Sequence, residues 1–106
     1  MILYLYYFSI KSKTLPHIDA LFTEALNSMV KGDSLKAIGI LKQVVKQDSN
    51  HIRAYLQLGN ILREKNPEQA LKIHQSLTVR PNLTQEIKLD IHRALANDYK
   101  KIGNDA

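Results

Sequence analysis

The 106-residue chain contains no cysteine and no tryptophan, only four glycines and three prolines, and 7% aromatic residues. Without cysteine it has no disulfide scaffold, no thiolate zinc site, no iron–sulfur cluster and no cysteine nucleophile. With so little glycine and proline it is neither collagen-like nor a flexible linker. Catalytic fingerprints are missing too: there is no G-x-S-x-G elbow, no phosphate-cradling glycine loop and no dinucleotide motif. The four histidines, His17, His51, His74 and His92, stand on separate segments, with no H-x-x-x-H pair and no acidic partner at ligand spacing. Like-charged pairs such as Glu64/Glu68 and Glu86/Asp90 suit a solvated helix face better than acid–base work. The expectation is a non-enzymatic chain with no metal and no cofactor.

Hydrophobic residues make up 44% of the chain and charged residues 24%, the balance of a globular domain. The net charge of +5 is spread out, +3 in residues 1–53 and +2 in residues 54–106. The longest basic run is Lys100-Lys101. A nucleic-acid module carries a denser stripe or a recognisable motif, so this charge argues for a solvated surface and against nucleic acid.

Met1 to Phe8 is an unbroken apolar run, followed by Ser9, Ile10, Lys11 and Lys13. A spanning helix needs about 20 such residues, roughly twice what is present. Three readings stand open: the remnant of a membrane anchor, a segment lying at a membrane surface, or a segment packed on a helix or partner. Thr14-Leu15-Pro16 punctuates the chain, giving an N-terminal segment 1–15 and a main domain 16–106.

From Ile18 onward the apolar positions follow helical spacing. Leu21, Phe22, Ala25, Leu26 and Met29 form one face, and Gly32 and Asp33 supply a stop and the next cap. Leu35, Ala37, Ile38, Leu41, Val44 and Val45 form a second helix. Tyr55, Leu58, Gly59 and Leu62 form a third, which Asn66-Pro67 ends while capping a fourth with Ala70, Ile73 and Leu77. Thr84 caps a fifth through Ile87, Ile91, Leu95, Tyr99 and Ile102, ending at Gly103. The fold class is all-α.

The helices repeat in pairs. Ala25 and Gly59 lie 34 residues apart, Ala37 and Ala70 lie 33 apart, and Gly59 and Ala96 lie 37 apart. Small residues in such positions allow two helices to approach closely. Ala70→Leu is therefore an overpacking change. Leu95, Ala96, Tyr99 and Gly103 carry the spacing of the tetratricopeptide pattern, and the chain resembles that repeat class. The resemblance implies an α-solenoid of about two and a half units, 18–50, 51–83 and 84–106, the last incomplete. In that register His92 stands where the class has tryptophan and His74 where it has a core side chain, so both are expected to be packed. The segments Leu58-Gly59-Asn60-Ile61-Leu62-Arg63, Ala70-Leu71-Lys72-Ile73-His74-Gln75 and Leu83-Thr84-Gln85-Glu86 further resemble the bacterial lipopolysaccharide-assembly family of membrane-anchored repeat proteins. This resemblance implies a cytoplasmic adaptor at the inner face of the inner membrane, acting on lipopolysaccharide synthesis through protein contacts. The family's later repeats and its four-cysteine domain have no counterpart here. The alternative expectation is thus a fragment of a longer adaptor without independent activity.

Such arrays bind partners along a groove lined by their first helices. Counting from the small residues places Phe22, Leu26 and Met29 there in the first unit. Arg53, Leu56, Asn60, Arg63, Arg93, Asn97 and Lys100 form the candidate partner-binding set in the later units, with Asp90 beside them. Arg63, Arg93 and Lys100 would supply charge-assisted hydrogen bonds, and Asn60 and Asn97 would bond an extended peptide backbone. On this reading, Arg63→Glu with Arg93→Glu removes binding and leaves helicity unchanged. The expected partner is a protein or peptide, with a membrane surface as a candidate for residues 1–10. The half-covered fifth helix is a candidate for self-association.

Overall fold

Gly32 provides the backbone conformation on which the first helix turns, with φ at 81°, a region L side chains seldom adopt. The computed structural model describes residues 17–105, and among them it holds helices and connecting turns but no strand. The apolar run 1–10 and the Thr14-Leu15-Pro16 junction, with the membrane and anchor readings that rest on them, lie outside the described residues. Among the described residues five helices follow in order: α1 over 17–30, α2 over Ser34–Gln47, α3 over Ile52–Leu62, α4 over Pro67–Leu77 and α5 over Gln85–Asp105. The chain divides into two compact units, Met1–Ser49 and Asn50–Ala106.

In the first unit α1 and α2 flank the Gly32 turn. The Asp33 and Gly32 amides donate to Ser28 and Met29 carbonyls at 2.9 and 3.0 Å, tying off the end of α1. The Asp33 carboxylate then accepts from the Lys36 amide at 3.2 Å and caps α2. Lys36 reaches back across the turn to Glu24 at 3.7 Å. Ala25 and Ala37, the two small positions of this unit, are both fully buried, as the repeat register expects. Phe22, Leu26 and Met29 are half-buried on α1.

In the second unit α4 packs against both α3 and α5. His51 caps α3 by accepting from the Ala54 amide at 3.1 Å, a role for a histidine ring that helical periodicity does not reveal. Asn66 caps α4, accepting from the Gln69 amide at 3.2 Å, and Pro67 occupies the first turn, where no amide hydrogen is needed. Replacing Asn66 with Ala should cost about 1 kcal/mol, because the Gln69 amide loses its acceptor. Urea unfolding would measure this, and an unchanged midpoint would show that solvent caps α4 equally well. The longer α4–α5 connection turns through Asn82 at φ 61°, and Thr84 accepts from the Ile87 amide at 3.2 Å at the start of α5.

The core of this unit is Leu56, Leu77, Ile91 and Ala94, with Ile52, Tyr55, Leu83, Ile87 and Leu95 packed around it. The fifth helix differs from the sequence reading in two ways. It does not end at Gly103 but continues to Asp105, because Gly103 adopts no positive φ. Its inward face is Ile87, Ile91, Ala94 and Asp98, spaced four, three and four residues apart. Tyr99, placed by sequence on the inward stripe, is 55% exposed. Ala96 and His92 are also exposed, so the close-approach role of Ala96 and the packed role of His92 are not realised.

Candidate functional site

The inward phase of α5 carries an acidic side chain, Asp98, into the helix interface. Asp98 and His74 are both 0% exposed, and two buried polar side chains require partners. They supply one another: His74 Nδ1 meets Asp98 Oδ2, and His74 Nε2 meets the Leu56 carbonyl oxygen at 3.0 Å. Arg63, 15% exposed, closes the cluster. Its Nε donates to Asp98 Oδ1 at 2.7 Å, and its Nη2 donates to Asn60 Oδ1 at 2.7 Å and to the Ala94 carbonyl at 3.3 Å. All three helices of the unit are joined through this cluster: α3 by Leu56, Asn60 and the C-cap residue Arg63, α4 by His74, and α5 by Ala94 and Asp98.

The room for the imidazole comes from Gly59. A methyl group placed there would lie 2.8 Å from His74 Cε1 and 2.9 Å from Cδ2, and closer still to Nε2. Gly59 and His74 are therefore one device, in which the missing side chain on α3 admits the ring from α4. The expectation that His74 is a packed, satisfied histidine agrees with this geometry.

Along one side of the cluster runs an open cavity of about 380 Å³ between α3 and α5. It is lined by Leu56, Gln57, Asn60, Arg63, Asp90, Arg93, Ala94 and Asn97. Five of the seven sequence-chosen residues, Leu56, Asn60, Arg63, Arg93 and Asn97, thus share one wall. Their availability differs. Leu56 belongs mostly to the core, and its carbonyl is taken by His74. Arg63 spends Nε and Nη2 on the cluster, leaving Nη1 outside the hydrogen bonds described above. Arg63→Glu would set a carboxylate against Asp98, so the expectation that this change spares the fold is corrected. Arg93 is the open cation of the wall, its side chain 77% exposed and its nearest acid Asp90 at 3.9 Å on the same helix. Asn97 is exposed beside it.

Arg53 and Lys100 do not line the cavity. Arg53 sits one turn before Leu56 and faces Glu86 at 3.8 Å, while Lys100 is exposed further along α5. Asp98 was missed in the sequence, although its phase with Ile87, Ile91 and Ala94 is the signal that would have found it. Gln57 was missed as well, and its half-burial and bond from Asn60 at 3.4 Å place it on the same wall.

The described chain is therefore an all-α protein of successive short helices, with a polar, arginine-bearing groove in its second unit, backed by a buried ionic cluster. No family model matches it. The chain is 29% identical over 83 residues to lipopolysaccharide assembly protein B of Escherichia coli strain K12, a match covering 77% of this chain and 21% of that protein. It is 32% identical over 91 residues to lipopolysaccharide assembly protein B of Haemophilus influenzae, covering 77% of this chain and 23% of that protein. The match thus spans about a fifth of the length of these relatives.

Proposed function

We propose that the chain is a non-catalytic scaffold of tetratricopeptide type, whose groove between α3 and α5 holds an extended segment of a protein partner. The observation that carries this reading is the groove wall itself. Arg93 and Asn97 present a guanidinium and a side-chain amide beside the exposed edge of Arg63, and Asn60, whose amide is bonded to Arg63 and Gln57, lines the same cavity of about 380 Å³. Amide groups serve both the N–H and the C=O of an extended backbone, and guanidinium groups favour carboxylates or carbonyl oxygens. The ionisable groups buried behind the wall are committed to one another, which supports a structural role for them rather than a catalytic one. Similarity to lipopolysaccharide assembly protein B supports placing the partner among proteins that act in lipopolysaccharide assembly; a place at the cytoplasmic face of the inner membrane is part of the proposal. No helix of the described residues is long and apolar enough to cross a membrane. The outward face of α5, with Leu89, Ala96 and Tyr99 exposed, is where self-association would occur.

Arg93→Glu combined with Asn97→Ala tests the groove without touching the cluster behind it. A peptide selected on the folded chain from a random library should lose about tenfold or more in affinity, equivalent to about 1.4 kcal/mol. The unfolding midpoint should stay within about 0.5 kcal/mol of the parent, as for surface changes generally. Retained affinity would remove these residues from the site.

A further inference from the structure

The outward face of α5 is built like a surface that already receives a helix elsewhere in the chain. A shift of 37 residues carries Gly59 onto Ala96, Ile52 onto Leu89, Tyr55 onto His92 and Leu62 onto Tyr99. At Gly59 the face of α3 meets α4, whose His74 ring fills the space beside it. On α5 the corresponding residues Leu89, His92, Ala96 and Tyr99 are exposed. They recur three, four and three residues apart, so they form one stripe of helix surface, and Ala96 lets another helix approach closely there. The stripe carries both a projection and a hollow. Tyr99 is 55% exposed, and Gln75 Nε2 donates to its phenol oxygen at 3.2 Å, which limits the ring's freedom. Nearer the start of α5 a cavity of about 230 Å³ opens between Thr78, Leu83, Lys88, Ile91 and His92.

We propose that a second copy of this chain covers the stripe, in a symmetric pair whose α5 helices run antiparallel and whose Tyr99 rings each enter the other copy's cavity. The spacing fits this arrangement. Tyr99 stands about 13 Å along the helix from the middle of the Lys88–His92 wall. A two-fold axis at the level of Ala94 exchanges ring and cavity, so one operation satisfies both copies and closes the assembly at two. The same axis sets Leu89 against the other copy's Tyr99 and His92 against its Ala96. Leu83 offers the entering ring apolar contact, Lys88 a cation for its face, and Thr78 a hydroxyl for its O–H. Charge agrees with the direction of the pair. Glu86 and Lys100 flank the stripe on the same side, so antiparallel helices bring each Glu86 alongside the other copy's Lys100. Arg93, the third residue of that flank, lies beside the axis and has Asp90 as its acid at 3.9 Å. A parallel pair would set Lys100 beside Lys100 and Tyr99 against Tyr99, leaving both cavities empty. The inference rests on the self-association reading above and not on the peptide reading, since the groove wall carrying Asn97 lies on a different side of α5.

Sedimentation equilibrium of the full chain over a concentration series should fit a monomer–dimer equilibrium. Tyr99→Ala should raise the dissociation constant at least about tenfold while the helical signal stays at the parent level. In an equal mixture of carbon-13-labelled and unlabelled parent, filtered spectra should show the Tyr99 ring in contact with the Thr78 and Leu83 methyl groups across copies. A parent that stays monomeric throughout the series would overturn the proposal and leave the groove reading untouched. So would association that grows beyond two copies, a Tyr99→Ala variant that associates as tightly as the parent, or cross-copy contacts that join Tyr99 to Tyr99 instead. The mixed-label spectra use the parent alone, so they decide even if the variant does not fold.

Discussion

Gly59→Ala should destabilise the protein by about 3 kcal/mol, although alanine favours helix over glycine at an unobstructed position. The added methyl would enter the space of the His74 ring, 2.8 Å from Cε1. The ring cannot retreat cheaply, because Asp98 and the Leu56 carbonyl hold its two nitrogens. Either the α3–α4 spacing opens or the buried cluster breaks, and each exceeds the propensity gain. Two other helical glycines give the contrast. A methyl group added at Gly39 or Gly103 would meet nothing within 4 Å. Gly39→Ala and Gly103→Ala should therefore each stabilise, by up to about 1 kcal/mol. Urea unfolding of the three variants side by side reads the effect as a change of sign. Equal effects at all three positions would mean that the ring does not occupy the space Gly59 leaves.

Asp98→Ala should be the more damaging change, costing about 3–5 kcal/mol, because it strips both His74 and Arg63 of their anion inside the protein. Domains of this size hold only about 5–15 kcal/mol in total, so the variant should sit near the edge of folding. The loss arises from stranding the partners rather than from any large net value of the ion pairs. Hence Arg63→Met, His74→Phe and Asp98→Leu together should recover much of the lost stability, with apolar contacts replacing the charges. Thermal and urea unfolding of the single and triple variants test this. A triple variant no more stable than Asp98→Ala would show that packing around the cluster does not tolerate apolar replacement.

The turns were the most legible part of the sequence. Gly32, Asp33, Asn66, Pro67 and Thr84 each act through local backbone chemistry, and a local signal can be read without knowing the fold. Four helices fell where periodicity placed them for the same reason. The fifth was misphased, because Leu95, Tyr99 and Ile102 also recur at helical spacing and look more apolar than Ala94 and Asp98. An inward-facing aspartate is costly in isolation, and only the approach of His74 and Arg63, 24 and 35 residues away in the chain, makes it favourable. The site was legible in outline, since Asn60, Arg63, Arg93 and Asn97 do share a wall. What sequence could not divide was the work among the arginines. Arg63 and Arg93 look alike in the chain, but one guanidinium is mostly committed to the buried cluster and the other faces solvent.

The central claim is that the wall formed by Gln57, Asn60, Arg93 and Asn97 takes an extended peptide. The direct test is an amide footprint of the labelled chain, titrated with a peptide selected on it from a random library. The account predicts saturable shifts concentrated on the side-chain amides of Gln57, Asn60 and Asn97 and on the backbone of α3 and α5 beside them, with the outer residues of α4, such as Lys72 and Ser76, silent. A footprint centred elsewhere, or a folded chain that selects no peptide at all, would contradict it.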